Sequence, residues 1–418
     1  MFLKKIFAKI FLLSVILVFC NTGVFGEGIT GQAIYENNKS RICDISTTIH
    51  FKDGTTKEKG GTGFFRDKDA NVLTAAHVIK LELAHKITKK QVDSIKKYSY
   101  WVVIPSLNRK YRAKFVGSID DVDIGMLQVQ NILQSDYSAV KIIKDPAKVK
   151  IGERDWAIGN PNNLANSLTS GIISSLHRNL NMHYIDDFIQ TDCPINHGNS
   201  GCPVFNQNEE VIGIANAIYE NCDGLAFAQS IALANFNLLK KGDIKPPSVG
   251  FDAMLSNFPR DGENKDSPGN EDLKEIEKMT GVEYIGDKIA IAKESWDGHC
   301  AIIKSIDEFE NPNAKDDEKK PSAAKIAGLE RGDLIISMNG KQIENGMGIR
   351  IFLLDKNVGD KIKIIFKRSE RGKMVEKSID LTLTRRNYIS DSASNDTGDT
   401  SEDDGGEDEA KALAKKNK

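Results

Sequence analysis

The stretch NHGNSGCPVF, residues 196–205, surrounds a single serine with glycine, asparagine and proline residues. Glycine has no Cβ, so a loop of this kind can turn its backbone amides toward a bound group. Such amides stabilise negative charge that develops on a reacting atom. Ser200 is therefore a candidate nucleophile. Because a serine hydroxyl is a weak nucleophile by itself, the chain must also supply a positioned base.

Two stretches upstream supply a base and an acid. In NVLTAAHVI an apolar strand runs into small residues and then His77, which places the imidazole at the end of a strand. In DDVDIGMLQV the residue Asp123 directly precedes an apolar run, so its carboxylate is expected to face inward. Each residue alone would fit a structural role. Together, in the order His77, Asp123 and Ser200, they supply the base, the orienting acid and the hydroxyl that acyl transfer by serine requires.

The composition is that of a globular protein. Of the 418 residues, 40% are hydrophobic and 28% are charged, which excludes a fibrous or multi-span membrane protein. The formal net charge is only -2, so no overall field favours a nucleic-acid partner. At about 150 residues per domain, the length predicts two or three folded units.

The N-terminus has the pattern of a secretory signal. Residues 1–26 begin with three lysines, continue with an apolar run from Ile10 to Phe19, and end in small or modest residues. This pattern predicts a signal peptide that is removed after export, and the alternative is an uncleaved membrane anchor. The mature protein is therefore expected to be exported, or membrane-associated if the segment stays attached.

The remaining cysteines do not form a metal-binding pattern. Without Cys20 the chain keeps an odd number of them, with no CxxC spacing, and its seven histidines form no HExxH motif. We therefore predict no metal and no cofactor. The five cysteines are Cys43, Cys193, Cys202, Cys222 and Cys300.

Changes in composition divide the chain into segments. Short β-rich runs such as ICDISTTIHF, separated by turn residues, predict a sandwich or barrels. The later region segregates helices and strands as an α+β unit. In that region EDLKEIEKMTGV is expected to be a helix, and GDLIISMNG a strand that ends in a turn at Asn339-Gly340. The lysine-rich segment 81–98 has apolar residues at helical spacing and is expected to be an amphipathic insertion. The proposed segments are an N-terminal segment 27–42, a β-rich domain 43–237, a linker 238–247, an α+β domain with insertions 248–388 and a disordered acidic tail 389–418.

Several motifs resemble a known family. TAAHV, DIGML and GNSGCP resemble the three signatures of trypsin-like serine proteases, and IGNPNNLANSLTSGIISSL with FIQTDCPINHGNSGCPVFN resembles the HtrA (DegP-type) branch. The similarity covers most of residues 43–235, and SAAKIAGLERGDLIISMNG resembles part of a PDZ domain. The resemblance implies a mainly β fold: a chymotrypsin-like pair of six-stranded β-barrels with the site between them, followed by an α+β PDZ domain.

The resemblance also implies the surroundings of Ser200. The backbone amides of Gly198 and Ser200 would form the oxyanion hole. The walls of the primary specificity pocket would come from Ile195, Ala217 and Leu225. Because all three side chains are apolar, cleavage after small or medium aliphatic residues is expected, and equal cleavage after lysine or arginine would contradict this assignment.

The resemblance further implies partners and a biological role. In the PDZ region, the loop of Val249, Gly250 and Phe251 would bind C-terminal peptides by strand addition. Relatives of this type form trimers or multiples of trimers. The implied function is an exported, periplasmic serine endopeptidase that degrades unfolded proteins. The alternative is a chaperone-like or scaffolding protein that retains the fold with little proteolytic turnover.

The chain departs from the family pattern near Ser200. Cys202 stands where the family has glycine, and His197 where it usually has proline. Cys202 is either a buried small hydrophobic residue or a redox brake, and His197 either points to solvent or makes activity pH-sensitive. Cys193 and Cys222 lie near a bridge known in many trypsin-like enzymes, so the resemblance suggests that they pair.

Overall fold

A computed structural model describes most of the chain between residues 29 and 386. The signal segment, the acidic tail, Cys222 and His197 lie outside the described residues, as does the predicted helix EDLKEIEKMTGV. The described ranges are 29–83, 87–160, 166–180, 182–196, 198–218, 224–244, 246–253, 283–285, 288–291, 294–296, 300–307, 320–370 and 373–386.

The first sheet closes into a six-stranded barrel. Strand β5 pairs with both β4 and β6, which joins the ends of the order β5-β4-β1-β2-β3-β6, and β14 adds to β5. The strands are β1 (Ile42–Phe51), β2 (Thr56–Phe65), β3 (Asn71–Ala75), β4 (Ile95–Ile104), β5 (Arg109–Ile119), β6 (Ile124–Val129) and β14 (Asp243–Ile244). In β1 every second residue from Cys43 to Ile49 is buried, as expected for a strand with one face in a core.

A second sheet closes in the same way. Its order β11-β8-β9-β10-β13-β12 is joined by pairing of β11 with β12, and β7 adds to β12. The strands are β7 (Lys141–Ile142), β8 (Arg154–Gly159), β9 (Ser167–Arg178), β10 (Phe188–Thr191), β11 (Pro203–Phe205), β12 (Glu210–Ile218) and β13 (Ala226–Ser230). One hydrophobic cluster contains Phe64 and Leu73 of the first barrel and Phe205 and Ile214 of the second. The prediction of two six-stranded barrels is confirmed.

Among the described residues, short helices precede or connect the strands, four in the region of the two barrels and two in the α+β unit. They are α1 (Gly31–Asn38), α2 (Ala76–Ile79), α3 (Lys89–Asp93), α4 (Phe236–Leu239), α5 (Ala323–Ala327) and α6 (Gly346–Leu353). Within the described ranges, no helix has the length and apolar character needed to cross a membrane. Helix α1 is capped by Thr30, whose side chain accepts a hydrogen bond from the Ala33 amide, and it buries Ile34 in the barrel core. The described part of the N-terminal segment thus packs against the barrel core.

The lysine-rich segment 81–98 is mostly not helical. Among its described residues, Leu81–Leu83 form a 3-10 turn and the α-helix is α3, which begins with a capping box of Thr88 and Gln91. From Ile95 onward the chain joins β4, where Lys97 pairs with His50 of β1. From Ile95 onward, pairing with a neighbouring strand therefore overrides the helical spacing of the apolar residues, so the predicted amphipathic helix does not extend to the end of the segment.

The α+β unit has its own sheet and core. The sheet order is β15-β19-β20-β22-β23, with β21 paired to β20, and its apolar face packs against α5 and α6. The strands are β15 (Phe251–Ala253), β19 (Ala301–Ile306), β20 (Leu334–Met338), β21 (Lys341–Gln342), β22 (Lys361–Glu370) and β23 (Lys373–Thr382), while β16 (Glu283–Ile285), β17 (Lys288–Ile291) and β18 (Glu294–Trp296) form a separate sheet. The predicted turn at Asn339-Gly340 has positive φ at both residues, which this dipeptide favours.

Asp155 in β8 makes the stability of the second barrel pH-dependent. Its side chain is fully buried, and burial raises the pKa of the carboxyl from 3.8 to about 6. Because the folded-state pKa is the higher one, this stabilising contribution is complete below about pH 4 and is lost as the pH rises through about 6.

We therefore expect Asp155→Asn to be more stable than the wild type at pH 8, by up to about 3 kcal/mol, and equal to it near pH 4. Urea unfolding at both pH values measures the difference. The exposed Asp69→Asn is the matched control and should change stability equally at both. Equal stability of Asp155→Asn and the wild type at pH 8 would contradict the prediction.

Candidate active site

His77 lies just after the end of strand β3 of the first barrel. It belongs to α2, which follows directly after β3, a strand that is buried along its whole length. The amide of Ala76 donates a 2.9 Å hydrogen bond to the Asp123 carbonyl, which fixes the start of the helix against the turn before β6. The end of one buried strand and the beginning of its neighbour therefore bring base and acid together.

Asp123 is held in an unusual backbone conformation. It follows a single 3-10 turn, Asp120–Val122, and has a φ of 52°, in the left-handed region. Asp tolerates this region better than most residues, and such conformations concentrate at functional sites. Its side chain is only 1% exposed, so the carboxylate is removed from water and available to partners inside the protein.

Three donors surround the Asp123 carboxylate. Oδ1 accepts a 2.6 Å bond from the His77 backbone amide, and Oδ2 lies 2.5 Å from His77 Nδ1. The side-chain amide of Asn216 on β12 donates to the same Oδ2 at 2.6 Å. Burial alone would raise the pKa of Asp123, but the charge and hydrogen bonds of His77 outweigh it, so the pKa lies below its ordinary value.

These contacts set the tautomer of His77. A carboxylate can only accept, so His77 Nδ1 carries the hydrogen of the bond to Asp123. In the neutral imidazole this leaves the lone pair on Nε2 free to take a proton. The side chain of His77 is 18% exposed, so part of the imidazole is open to solvent.

The Ser200 loop is fastened to the first barrel through Thr62 on β2. The Thr62 amide donates to the Ser200 carbonyl and the Thr62 hydroxyl to the Gly198 carbonyl, both at 2.9 Å. A Cβ at Gly61 would lie 2.7 Å from Val78, the neighbour of His77, and 3.0 Å from the Ser200 carbonyl. Ser200 therefore lies across from α2. Within the described part of the chain its hydroxyl makes no hydrogen bond to His77, a looser contact that is common without substrate.

The predicted oxyanion amides are oriented by their neighbours. Gly198 has a φ of 98°, which glycine adopts without strain. On either side of Ser200, the Asn199 amide donates to the Asn196 carbonyl and the Gly201 amide to the Ala215 carbonyl. Among the described residues, the amides of Gly198 and Ser200 have no backbone acceptor.

Gly201 is the tightest position in this loop. Its φ is 90°, and a Cβ there would lie 2.2 Å from both the Thr62 carbonyl and Thr74 Oγ1. Gly152 has a similar φ of 86° but nothing within 4 Å. Gly152→Ala therefore costs only the free energy of a left-handed alanine backbone. Gly201→Ala adds a collision with Thr62, whose two hydrogen bonds to the Ser200 loop we call the Thr62 clamp.

We expect Gly152→Ala to destabilise the fold by about 1 kcal/mol and Gly201→Ala by roughly 2 kcal/mol more. The rate constant kcat of Gly201→Ala should also fall by about 100-fold, because a small displacement of a reacting group has such effects. Urea unfolding and peptide hydrolysis measure the two results. If Gly201→Ala behaves like Gly152→Ala in both, the clamp does not position Ser200.

The three predicted pocket residues occupy different positions. Ile195, just before the Ser200 loop, is buried in the core between the barrels. Ala217 on β12 is in register with Phe227 of β13, and the half-buried Leu225 precedes β13. The pocket assignment and the cleavage preference after aliphatic residues stay predictions.

The cysteines among the described residues are buried and form no disulfide. Cys43, Cys193, Cys202 and Cys300 are free thiols. Burial raises the pKa of Cys193 to about 12 and that of Cys202 further. Oxidation requires a thiolate, so these pKa values favour the interpretation of Cys202 as a small hydrophobic residue over a redox brake. The partner proposed for Cys193, Cys222, is outside the described residues.

The predicted peptide loop of the α+β unit is closely packed. Gly250 has a φ of 80°, and a Cβ there would lie 2.9 Å from Ser322 Cβ at the start of α5. Its amide donates to Ser248 Oγ at 3.0 Å. Val249 and Phe251, the latter the first residue of β15, are both buried. Peptide binding by this loop stays a prediction.

Several residues that lie close to the site were not predicted from the sequence. Asn216 was visible only as a polar residue inside the apolar run EVIGIANAI. His183 lies 3.9 Å from Asp123 Oδ2. The next residue is Tyr184. Its ring is covered by two arginines of the α+β unit, Arg350 and Arg386. Within the described ranges there is no cluster of three or more His, Cys, Asp or Glu side chains suited to a metal ion.

Comparison with protein families and curated proteins identifies relatives of the chain. Residues 61–214 match the model of the trypsin-like peptidase domain. The periplasmic serine endoprotease DegP of Escherichia coli K12 is 28% identical over 342 residues, which cover 80% of this chain and 62% of DegP. The periplasmic pH-dependent serine endoprotease DegQ of the same strain is 31% identical over 283 residues, covering 66% of this chain and 52% of DegQ. The chain thus spans between about half and three fifths of these relatives' length.

Solved structures share the fold. The HtrA-type protease AlgW with a tripeptide superposes with a TM-score of 0.60 at 19% identity, covering 86% of this chain and 99% of that one. A serine endoprotease from Yersinia pestis gives a TM-score of 0.52 at 20% identity, with the same coverage of both chains. At these identities the likeness concerns the fold alone.

Proposed function

Because residues 61–214 match the trypsin-like peptidase domain, in a chain homologous to the DegP, DegQ and HtrA-type serine endoproteases, we propose that this protein is itself an active serine endopeptidase. The observation that carries the proposal is the buried Asp123 carboxylate 2.5 Å from His77 Nδ1, opposite the loop of Ser200. A buried acid that fixes the tautomer of a partly exposed imidazole beside a serine is the arrangement that acyl transfer needs.

In the proposed reaction, the Ser200 hydroxyl attacks the carbonyl carbon of the peptide bond while His77 Nε2 takes its proton. The imidazolium that forms is stabilised by Asp123. His77 then gives the proton to the leaving amine, the C–N bond breaks, and the acyl group stays on Ser200. Water, activated by His77 in the same way, releases the acyl group as a carboxylic acid.

The tetrahedral intermediate carries a negatively charged oxygen. We assign its stabilisation to the amides of Gly198 and Ser200. In support, the amides of Asn199 and Gly201 have acceptors within the protein, so the alternate amides are the ones left for a ligand. Removing one such donor typically costs about 3 kcal/mol of transition-state stabilisation.

The wider biological role is part of the same proposal. Residues 1–26 direct export, and the periplasmic location of the named relatives DegP and DegQ supports the periplasm as the destination. Substrates are unfolded proteins that enter an apolar pocket of Ile195, Ala217 and Leu225. The α+β domain, residues 248–388, acts as a PDZ domain that binds C-terminal peptides through Val249, Gly250 and Phe251. The mature chain assembles into trimers or multiples of trimers.

A direct experiment separates this function from the binding-protein alternative. The purified mature chain is incubated with a fluorescent fluorophosphonate, which forms a covalent bond with activated serines, and in parallel with unfolded casein. The proposal predicts labelling and casein fragments together. A chain that binds casein but neither reacts with the probe nor cleaves would support the chaperone-like alternative instead.

A further inference from the structure

A second histidine, His183, lies close to the pair formed by His77 and Asp123. His183 Nε2 lies 3.4 Å from Asn216 Oδ1, while the other end of the same amide, Nδ2, donates to Asp123 Oδ2 at 2.6 Å. The side chain of His183 is 17% exposed, and Asn216 is buried. A continuous chain of polar contacts therefore runs from His183 through Asn216 and Asp123 to His77.

The chemistry of the amide sets the direction of each contact. Oδ1 of an asparagine can only accept, so the His183 Nε2 must carry the hydrogen. An asparagine amide can rotate by half a turn, and in the rotated state its oxygen would face the Asp123 carboxylate. A donor on Oδ1 opposes that rotation and keeps the NH₂ group on Asp123.

The loop that carries His183 is built around a buried carboxylate. Asp186 accepts hydrogen bonds from the backbone amides of Leu180, Met182 and His183, at 3.0, 2.9 and 3.0 Å. The His183 ring also packs at a tilt against Phe188, with 6.2 Å between ring centroids. These contacts hold the imidazole in one place, so its bond to Asn216 costs little conformational entropy.

We propose that His183 is a positioning residue for the serine endopeptidase site: its Nε2–H orients the Asn216 amide, which in turn holds the Asp123 carboxylate against His77. The inference rests on the proposed function. Among the described residues, the polar contacts of the His183 ring are with Asn216 and Asp123 and not with Ser200 or His77, so His183 is expected to act on the rate of acylation and not on substrate binding.

The test compares variants that keep or remove the donor. His183→Phe keeps a ring against Phe188 but removes the N–H, and kcat is expected to fall about 10-fold with KM unchanged, the effect of one lost hydrogen bond. His183→Gln supplies an N–H within reach and is expected to recover most of this loss. The rate of fluorophosphonate labelling should follow the same order. Should His183→Phe not fold, His183→Met removes the donor in its place.

Asn216→Ala gives a sharper readout. If His183 acts through the amide, His183→Phe has no further effect on kcat in the Asn216→Ala background. His50→Phe is the matched control, because His50 Nε2 also bonds a side-chain oxygen, Ser99 Oγ, but between strands β1 and β4 of the first barrel. It should leave kcat unchanged. Thermal unfolding is measured for every variant.

Either of two results with His183→Phe would overturn the inference: unchanged kcat in the folded variant, or an equal loss of kcat in the wild-type and Asn216→Ala backgrounds. A His183→Gln as impaired as His183→Phe would also contradict it, because the donor would then not matter. Failure of the proposed function looks different, since the wild type itself would then neither react with the probe nor cleave casein.

Discussion

Replacing Ser200 with alanine is expected to reduce kcat for peptide hydrolysis by about 10⁶-fold, the loss that follows removal of the nucleophile in enzymes of this mechanism. Without the hydroxyl no acyl-enzyme forms, and the remaining oxyanion donors and substrate contacts support only slow attack by water. The fold should stay intact, because Ser200 is held by its backbone carbonyl, which accepts from Thr62. Hydrolysis of a fluorogenic peptide together with thermal unfolding measures both properties.

The exposed Ser106→Ala, in the turn after β4, serves as the control and should match the wild type in rate. Binding of casein to Ser200→Ala is expected to persist, so that the variant traps substrate without cleaving it. A folded Ser200→Ala variant that keeps more than about one hundredth of the wild-type rate would show that another group is the nucleophile.

Replacing Asp123 with asparagine is the second large change, with an expected fall in kcat of about 10⁴-fold. Asp123 accepts from the His77 backbone, His77 Nδ1 and Asn216 Nδ2. An asparagine can present its NH₂ group to Nδ1, which moves the imidazole hydrogen to Nε2 and removes the lone pair that takes the Ser200 proton. The reactivity of Ser200 toward fluorophosphonate should fall in parallel.

Asp120→Asn is the matched control for this substitution. Asp120 lies on the same turn but bonds Lys80 at 2.8 Å and is 28% exposed. Its side chain bonds Lys80 and Ser118 and not His77, so kcat should change by no more than about twofold. Equal losses of kcat in Asp120→Asn and Asp123→Asn would mean that the turn as a whole, and not the bond to His77, determines the rate.

Local sequence patterns predicted much of the fold because strand alternation and turn residues act over short distances. The run ICDISTTIHF alternates in burial as expected, and Asn339-Gly340 forms its turn. The helix predicted for the lysine-rich segment 81–98 is shorter than expected, because pairing between β1 and β4 outweighs the helical spacing of the apolar residues. Helix α1 has no strong apolar face of its own and is fixed by burial of Ile34 in the barrel core.

The residues of the site also differ in whether local sequence or long-range contacts determine their positions. His77, Asp123 and Ser200 could be proposed from the residues beside them, since each stands at the end or the beginning of an apolar run. Asn216 and His183 could not, because their contacts with Asp123 join positions that are distant in the chain. Those contacts exist only once the second barrel has closed and β12 lies next to the first barrel.

The central claim is that the hydroxyl of Ser200 is the group activated by His77 and Asp123. The most direct measurement is mass spectrometry of the wild-type chain after fluorophosphonate labelling and digestion, with the modified side chain located by fragmentation. The account predicts a single adduct on Ser200, formed far more slowly in Asp123→Asn. An adduct on a different residue, or casein cleavage by a chain whose Ser200 never reacts, would contradict it.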